Sequence, residues 1–352
     1  MEFLNGLKQT LKIDEVTSGV ASKLNTAKDF VQHQQQTLSE LGAVKTVKER
    51  VGSLVPTQLQ NLKLNYFSPG SWTKYFPAAK GNRQSPIDIC ASQAQFDEQL
   101  GDGNFQLNYF SEDCLEVRNV GTTWKIIVSP NGKSCKKIHH FRRNRIKLTL
   151  TLALSAVHLP ATYILTQIHC HWGTEPMNGS EHVIGGVGYA GEIHIVHRNA
   201  NYSTFEEACK HSDGIAVVAV FLNESLDDNL ALEPLVQMIS KIQFKNESVT
   251  FPQGFDIKCL IPGKINLDKR EFWTYEGSLT TPPCCECVLW TVFRAAIPIS
   301  SRQLEVFRSL YAVPVEDSER NPMRLINNIR PVQAVNSRIV RASFRAGGLC
   351  TT

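Results

Sequence analysis

The run Gln167-Ile168-His169-Cys170-His171-Trp172 constrains this chain more than any other, because it changes chemical character at every step. Side chains on a strand alternate faces, so as a strand it points His169 and His171 one way and Cys170 and Trp172 the other. A shorter run, Glu192-Ile193-His194, places a third histidine 23 residues after His171, where a neighbouring strand can bring it alongside. Three neutral imidazole nitrogens hold Zn²⁺ at about 2.0–2.1 Å and leave a fourth position for water, the pattern of a catalytic zinc rather than a structural one. A bare His-x-His is also found among surface and core histidines, so the neighbours matter. A metal-bound ring needs its other N–H held by an acceptor. Gln167 and Glu192 each stand two residues before a histidine, on the same strand face, as such acceptors for His169 and His194. In Ser278-Leu279-Thr280-Thr281-Pro282-Pro283 a threonine oxygen can take a hydrogen from hydroxide, and Glu181 in Ser180-Glu181-His182 can take the threonine's own proton.

These blocks resemble the α-class carbonic anhydrases, of the eukaryotic type. The resemblance is carried by Arg83-Gln84-Ser85-Pro86-Ile87-Asp88-Ile89, residues 167–173, Ser180-Glu181-His182, Glu192-Ile193-His194-Ile195-Val196-His197, residues 277–283, Asn328-Ile329-Arg330-Pro331-Val332-Gln333 and Arg341-Ala342-Ser343-Phe344. It runs from about residue 66 to residue 344, with the motifs in the family's order. It implies a zinc enzyme that hydrates carbon dioxide reversibly to bicarbonate and a proton, with His169, His171 and His194 as ligands. Gln167 and Glu192 would hold the outer nitrogens of His169 and His194, and the Asn328 carbonyl that of His171. Thr280 would accept a hydrogen bond only from hydroxide, oriented by Glu181, and Thr281 would help to position bicarbonate. Val196, Val217, Leu279, Val288 and Trp290 would line the apolar carbon dioxide pocket.

One departure bears on rate. The family's proton-shuttle histidine stands in an Asn-x-Gly-His context, and here Asn119-Val120-Gly121-Thr122 puts a threonine in its place. A hydroxyl does not titrate near neutrality, so a slower enzyme limited by proton export is expected. Lys125 is either a substitute relay or a solvated charge.

The fold implied is α+β and mostly β: a large twisted, mainly antiparallel sheet with short peripheral helices, preceded by an N-terminal amphipathic helical segment. Residues 115–128, 148–154, 163–171, 192–197, 215–221 and 288–293 read as strands, and 206–209 and 301–311 as helices. In residues 1–63 leucines and valines recur at three- and four-residue steps with few aromatics, predicting one or two amphipathic helices. The domain reading is therefore 1–63 as helical extension, 64–346 as catalytic domain and 347–352 as a short tail. The extension reads as a cap on the catalytic domain, a docking segment for a protein partner, or a membrane-surface helix. A non-catalytic scaffold tethered through it is the alternative function.

With 42% hydrophobic and 20% charged residues and a net charge of +4, the 352-residue chain can bury a large core. No basic run with interleaved aromatics suggests nucleic acid, and no apolar stretch is long enough to span a bilayer. The basic stretch 133–147, longer than the family pattern, is a solvated loop or a site for an acidic partner. Its His139 and His140 are adjacent, and so poor joint ligands. His33, His158 and His211 are read as ordinary surface or core residues, and His182 and His197 as buried hydrogen-bonded groups.

Secreted members of the family commonly pair a cysteine before the Arg-Gln-Ser-Pro block with one after Thr-Thr-Pro-Pro. Cys284 fills the second place but Ala78-Ala79 fill the first, so that bridge is not expected. The start of the chain reads as neither a signal peptide nor a good presequence. An intracellular, reducing compartment follows, the cytoplasm in the first instance, with a mitochondrial address as the alternative. The sequons at Asn178, Asn201, Asn223 and Asn246 are read as chance. A cysteine-rich structural zinc site around Cys284, Cys285 and Cys287 lacks a second pair at the required spacing.

Overall fold

The computed structural model describes residues 68–101, 105–109, 114–129, 152–251, 255–262 and 271–345. The expected helices of residues 1–63, the basic stretch 133–147 and the tail 347–352 lie outside them. Two compact units divide the chain: residues 1–80 with 281–285, and residues 81–280 with 286–352. In the first, the helical turns Pro69–Ser71, Trp72–Tyr75 and Pro77–Lys80 follow one another, and Trp72, Ala79 and Cys284 are buried together.

The second unit is built on a thirteen-stranded sheet. Its centre comprises β1 (Cys114–Asn119), β2 (Trp124–Val128), β3 (Tyr163–Trp172), β4 (Gly191–Asn199), β5 (Ile215–Ser225), β6 (Phe272–Gly277) and β7 (Val288–Phe293). They lie in the order β1-β2-β3-β4-β5-β7-β6, antiparallel except for the β5–β7 pair. On β5 every residue from Ile215 to Leu222 is buried, which is why its apolar run is continuous rather than alternating. Each of its buried Ile, Val, Leu and Phe side chains contributes about 1.5–3 kcal/mol.

The stretch 115–128 is two strands rather than one. Val120 N–H donates to the Thr123 carbonyl at 3.0 Å, and Gly121 adopts φ +81°, a conformation that favours glycine. Thr122 therefore sits at a hairpin tip. Strand 148–154 is described only from residue 152, with Ala153–Ser155 extended. The two expected helices are observed as Phe205–Ala208 and Ser301–Arg308. The latter opens on a capping box between Ser300 and Gln303 and ends before residue 311.

The pairing of β3 with β4 contains one irregularity. Leu165 pairs with His197, but Gln167 pairs with Val196, so Thr166 is an extra residue on β3. The faces exchange at that point. Tyr163 and Leu165 belong to the main core before it, and Ile168, Cys170 and Trp172 after it, together with Ile193 and Ile195 of β4 and Ala216, Val218 and Val220 of β5. Gln167, His169 and His171 are thereby turned to the opposite face.

Candidate metal centre

Beyond the bulge the register is His169 opposite His194 and His171 opposite Glu192. Directly opposed residues of an antiparallel pair share a face, so all three histidines meet. Their ring centroids are 5.1, 5.2 and 4.7 Å apart, and each ring offers a nitrogen within 4.8 Å of the other two.

The outer nitrogen of each ring meets an acceptor. His169 Nδ1 lies 3.2 Å from Gln167 Oε1, His171 Nδ1 2.7 Å from the Asn328 carbonyl, and His194 Nε2 2.7 Å from Glu192 Oε1. A carbonyl or carboxylate oxygen only accepts, so each of these nitrogens carries the hydrogen. Nε2 of His169, Nε2 of His171 and Nδ1 of His194 are left as lone-pair donors. Burial holds His171 below the ordinary histidine range, with Glu181 opposing the shift and His194 reinforcing it. Its Nε2 is buried without a hydrogen-bond partner. Three neutral nitrogens, one of them otherwise orphaned, fit a divalent metal of the zinc type.

Glu192 is fully buried and ties the centre together. Its Oε1 also accepts from His182 Nδ1 at 2.6 Å, and its Oε2 accepts the backbone N–H groups of Glu181 and His182 at 2.9 and 2.7 Å. Burial raises its pKa, but the facing His182 and His194 rings and their N–H bonds outweigh this and hold the carboxyl well below the usual carboxylate range. His182, Glu192 and His194 also sit within ligand distance of one another, but hydrogen bonds among them occupy the facing atoms. They support the triad rather than forming a second seat.

Glu181 is buried, with Oε1 accepting from Arg330 N–H at 2.8 Å. Its Oε2 has no hydrogen-bond partner and lies 3.4 Å from His171 Nε2 and 3.9 Å from His194 Nδ1. Thr280 is buried, and no hydrogen bond joins it to Glu181. Thr281 belongs to the other unit.

The apolar positions follow from register. Val196 pairs with Val217, Val217 with Trp290, and Ile215 with Val288, which carries the triad's face across β4, β5 and β7. The Trp290 ring lies 4.9 Å from that of His194. Leu279, half-buried, follows β6. Lys125 is the cross-strand partner of His169 and shares its face. The Thr122 carbonyl accepts from Asn328 Nδ2 at 2.9 Å, and Asn328 Oδ1 accepts Trp172 N–H at 2.8 Å, so one asparagine links the hairpin tip to the ligand strand.

Sequence reasoning missed the support behind His182. Its Nε2 meets the Tyr275 hydroxyl at 2.6 Å, and Tyr275 donates to Ser85 Oγ at 2.9 Å. Ser85 in turn accepts Ser278 N–H at 3.0 Å. The available signal was the alternation of β6, which puts Tyr275 in register with Trp290. Cys170 points into the core, where burial raises its thiol well above the ordinary range.

Three histidines that could hold a metal ion, beside Trp290 on the face of a mainly antiparallel sheet, are the kind of site a metalloenzyme uses. The family model for eukaryotic-type carbonic anhydrase matches residues 67–344. The chain is 36% identical over 277 residues to carbonic anhydrase 3 of Homo sapiens, covering 79% of this chain and 95% of that protein. It is 39% identical over 279 residues to carbonic anhydrase 7 of Mus musculus, with the same coverage, 79% and 95%. The chain belongs to the eukaryotic-type carbonic anhydrase family, and it is a carbonate dehydratase. Among the described residues no helix is long and apolar enough to cross a membrane.

Proposed function

We propose that His169, His171 and His194 hold Zn²⁺ and that carbon dioxide is hydrated there to bicarbonate and a proton. The observation that carries this reading is the fixed tautomer of each ring, with three lone pairs facing one point. When bound, the metal supplies a Lewis acid that makes a nucleophilic water available near neutral pH. Glu192, ionised, holds the hydrogen on His194 Nε2 and keeps Nδ1 a donor. Thr280 accepts the nucleophile's hydrogen and directs one lone pair at the substrate, its own hydrogen going to Glu181. The support is that Glu181 Oε2 is an acceptor without a partner on a carboxylate anchored by Arg330. Val196, Val217, Leu279, Val288 and Trp290 give uncharged carbon dioxide a dry wall and exclude competing water.

Proton export is the weak step, because Thr122 has no group that titrates near neutrality. Thr122→His is expected to raise stopped-flow turnover at low buffer and to reduce its dependence on imidazole; no gain removes this reading. The metal reading is tested by zinc content and carbon dioxide hydration of the chain and of His194→Ala. One zinc per chain and hydration are expected, both lost in the variant. A folded, zinc-free protein, or hydration that survives the variant, refutes it.

Residues 64–346 form the catalytic domain in this reading, with 1–63 as an appendage that meets a protein partner or a membrane surface and 347–352 as a tail. A reducing intracellular compartment is supported by Ala78-Ala79, which stand where secreted relatives carry the cysteine that pairs with the position of Cys284. Intact-mass analysis showing a disulfide or glycans overturns it.

A further inference from the structure

Apart from the triad, the protein has an open recess of about 420 Å³ lined by Thr174, Glu305, Arg308, Ser309, Arg324 and Ile326. Arg308 closes the helix Ser301–Arg308, and its side chain is only 13% exposed. Its Nε donates to the Gly173 carbonyl at 2.9 Å and its Nη1 to Glu305 Oε1 at 2.8 Å. Nη2 is buried and has no acceptor. A positive charge at a helix C-terminus is favourable in itself, but that interaction does not satisfy an N–H. Native proteins rarely leave a buried donor of this kind unanswered.

The second guanidinium, Arg324, lies 4.1 Å from the Tyr311 ring centroid and donates Nη1 to the Ser309 carbonyl. The guanidinium lies over that ring, and among the described residues no other protein group takes the remaining donors of its fork. The Ser309 hydroxyl is committed to the Val306 carbonyl, whereas the Thr174 side chain has no such bond. Two guanidiniums against the one Glu305 carboxylate leave the recess with a single excess positive charge. That charge matches a monovalent anion better than a phosphate dianion, and guanidinium forks match a planar oxyanion head.

We propose that this recess binds a small monovalent oxyanion with a carboxylate-like head, either bicarbonate or an organic carboxylate. The site backs onto the triad's support. Thr174 N–H donates to Asn327 Oδ1 at 3.2 Å, and the carbonyl of the next residue, Asn328, holds His171. An occupant bridging Arg308 and Arg324 links the helix end to that segment. Binding there does not depend on the metal reading.

The test is calorimetric titration of bicarbonate and of acetate into the full-length protein at fixed pH and ionic strength, alongside Arg308→Gln and Arg324→Gln. Saturable binding is expected, weakened roughly tenfold or more by either change, the scale of a lost charge-assisted hydrogen bond. Tighter binding of bicarbonate assigns the recess to the reaction's own product, and tighter binding of acetate to an organic carboxylate. Absence of saturation in the wild type overturns the proposal. So does unchanged affinity in Arg324→Gln, which anion binding at the triad alone would produce. Arg308→Gln also removes the bond to Gly173, so the exposed Arg324 decides the question if that variant unfolds.

Discussion

Replacing Glu192 with glutamine keeps the side chain's shape and exchanges one acceptor oxygen for a donor. Four N–H groups converge on the carboxylate, two backbone donors on Oε2 and two imidazoles on Oε1. Whichever oxygen becomes NH₂, two buried donors then face a donor. Each buried donor left unsatisfied costs about 1–3 kcal/mol, so the direct loss is about 2–6 kcal/mol, against a total stability of about 5–15 kcal/mol for a typical domain. One escape lies open when the amide nitrogen faces the rings. His194 can move its hydrogen from Nε2 to Nδ1, but Nδ1 is the nitrogen that a metal needs. The variant must therefore lose folding stability, metal affinity or both. Outer partners of metal-bound histidines are worth about 10–100-fold in affinity or activity, a range to which carbonic anhydrase itself contributed, and a forced tautomer change places Glu192→Gln at its upper end. Urea unfolding of the metal-free protein gives the first quantity and zinc competition against a chelator the second. Gln167→Ala, which removes the longer 3.2 Å bond to His169, should lose less. A Glu192→Gln protein with wild-type stability and zinc affinity within threefold of wild type would refute the reasoning.

Two further predictions follow from buried groups. Burial, with the nearby Arg341 charge, lowers the His158 pKa from 6.5 to about 4. Between those values the unfolded chain binds a proton that the folded chain does not, so stability falls as pH drops from 6.5 towards 4, by about 1.4 kcal/mol per unit and about 3 kcal/mol in all. His158→Leu leaves Thr291 Oγ1 without its 2.8 Å partner and is expected to be weaker at pH 7, with the difference shifting in its favour across that window in urea titrations. Parallel curves for the two proteins refute the buried neutral ring. Val217, buried between Val196 and Trp290 in register, should tolerate phenylalanine at about 1–3 kcal/mol while carbon dioxide hydration kcat/KM falls by an order of magnitude at unchanged zinc content. Undiminished hydration removes Val217 from the substrate wall.

The strands were legible because alternation and apolar runs are local properties of a sequence: β3, β4, β5 and β7 lie within a few residues of the positions their patterns indicate. Gln167 and Glu192 were legible as ring partners for the same reason, since residues two apart on a strand share a face. The hairpin at Thr122 was harder to see, because a turn residue with positive φ interrupts two runs that read as one.

Convergence of the triad was decided by tertiary structure. Continuing the register set by Leu165 and His197 would pair His169 with Ile193 and turn His194 to the opposite face. The extra residue Thr166 shifts the pairing by one and brings the rings together. A trace of this exists in the sequence, where the apolar positions change phase between Leu165 and Ile168. The Asn328 carbonyl, 157 residues from His171, was reached only through the family resemblance, and the Tyr275–Ser85 support and the meeting of Arg308 with Arg324 leave no such trace. A side chain's facing is set by its immediate neighbours, whereas its hydrogen-bond partner is set by the packing of distant segments.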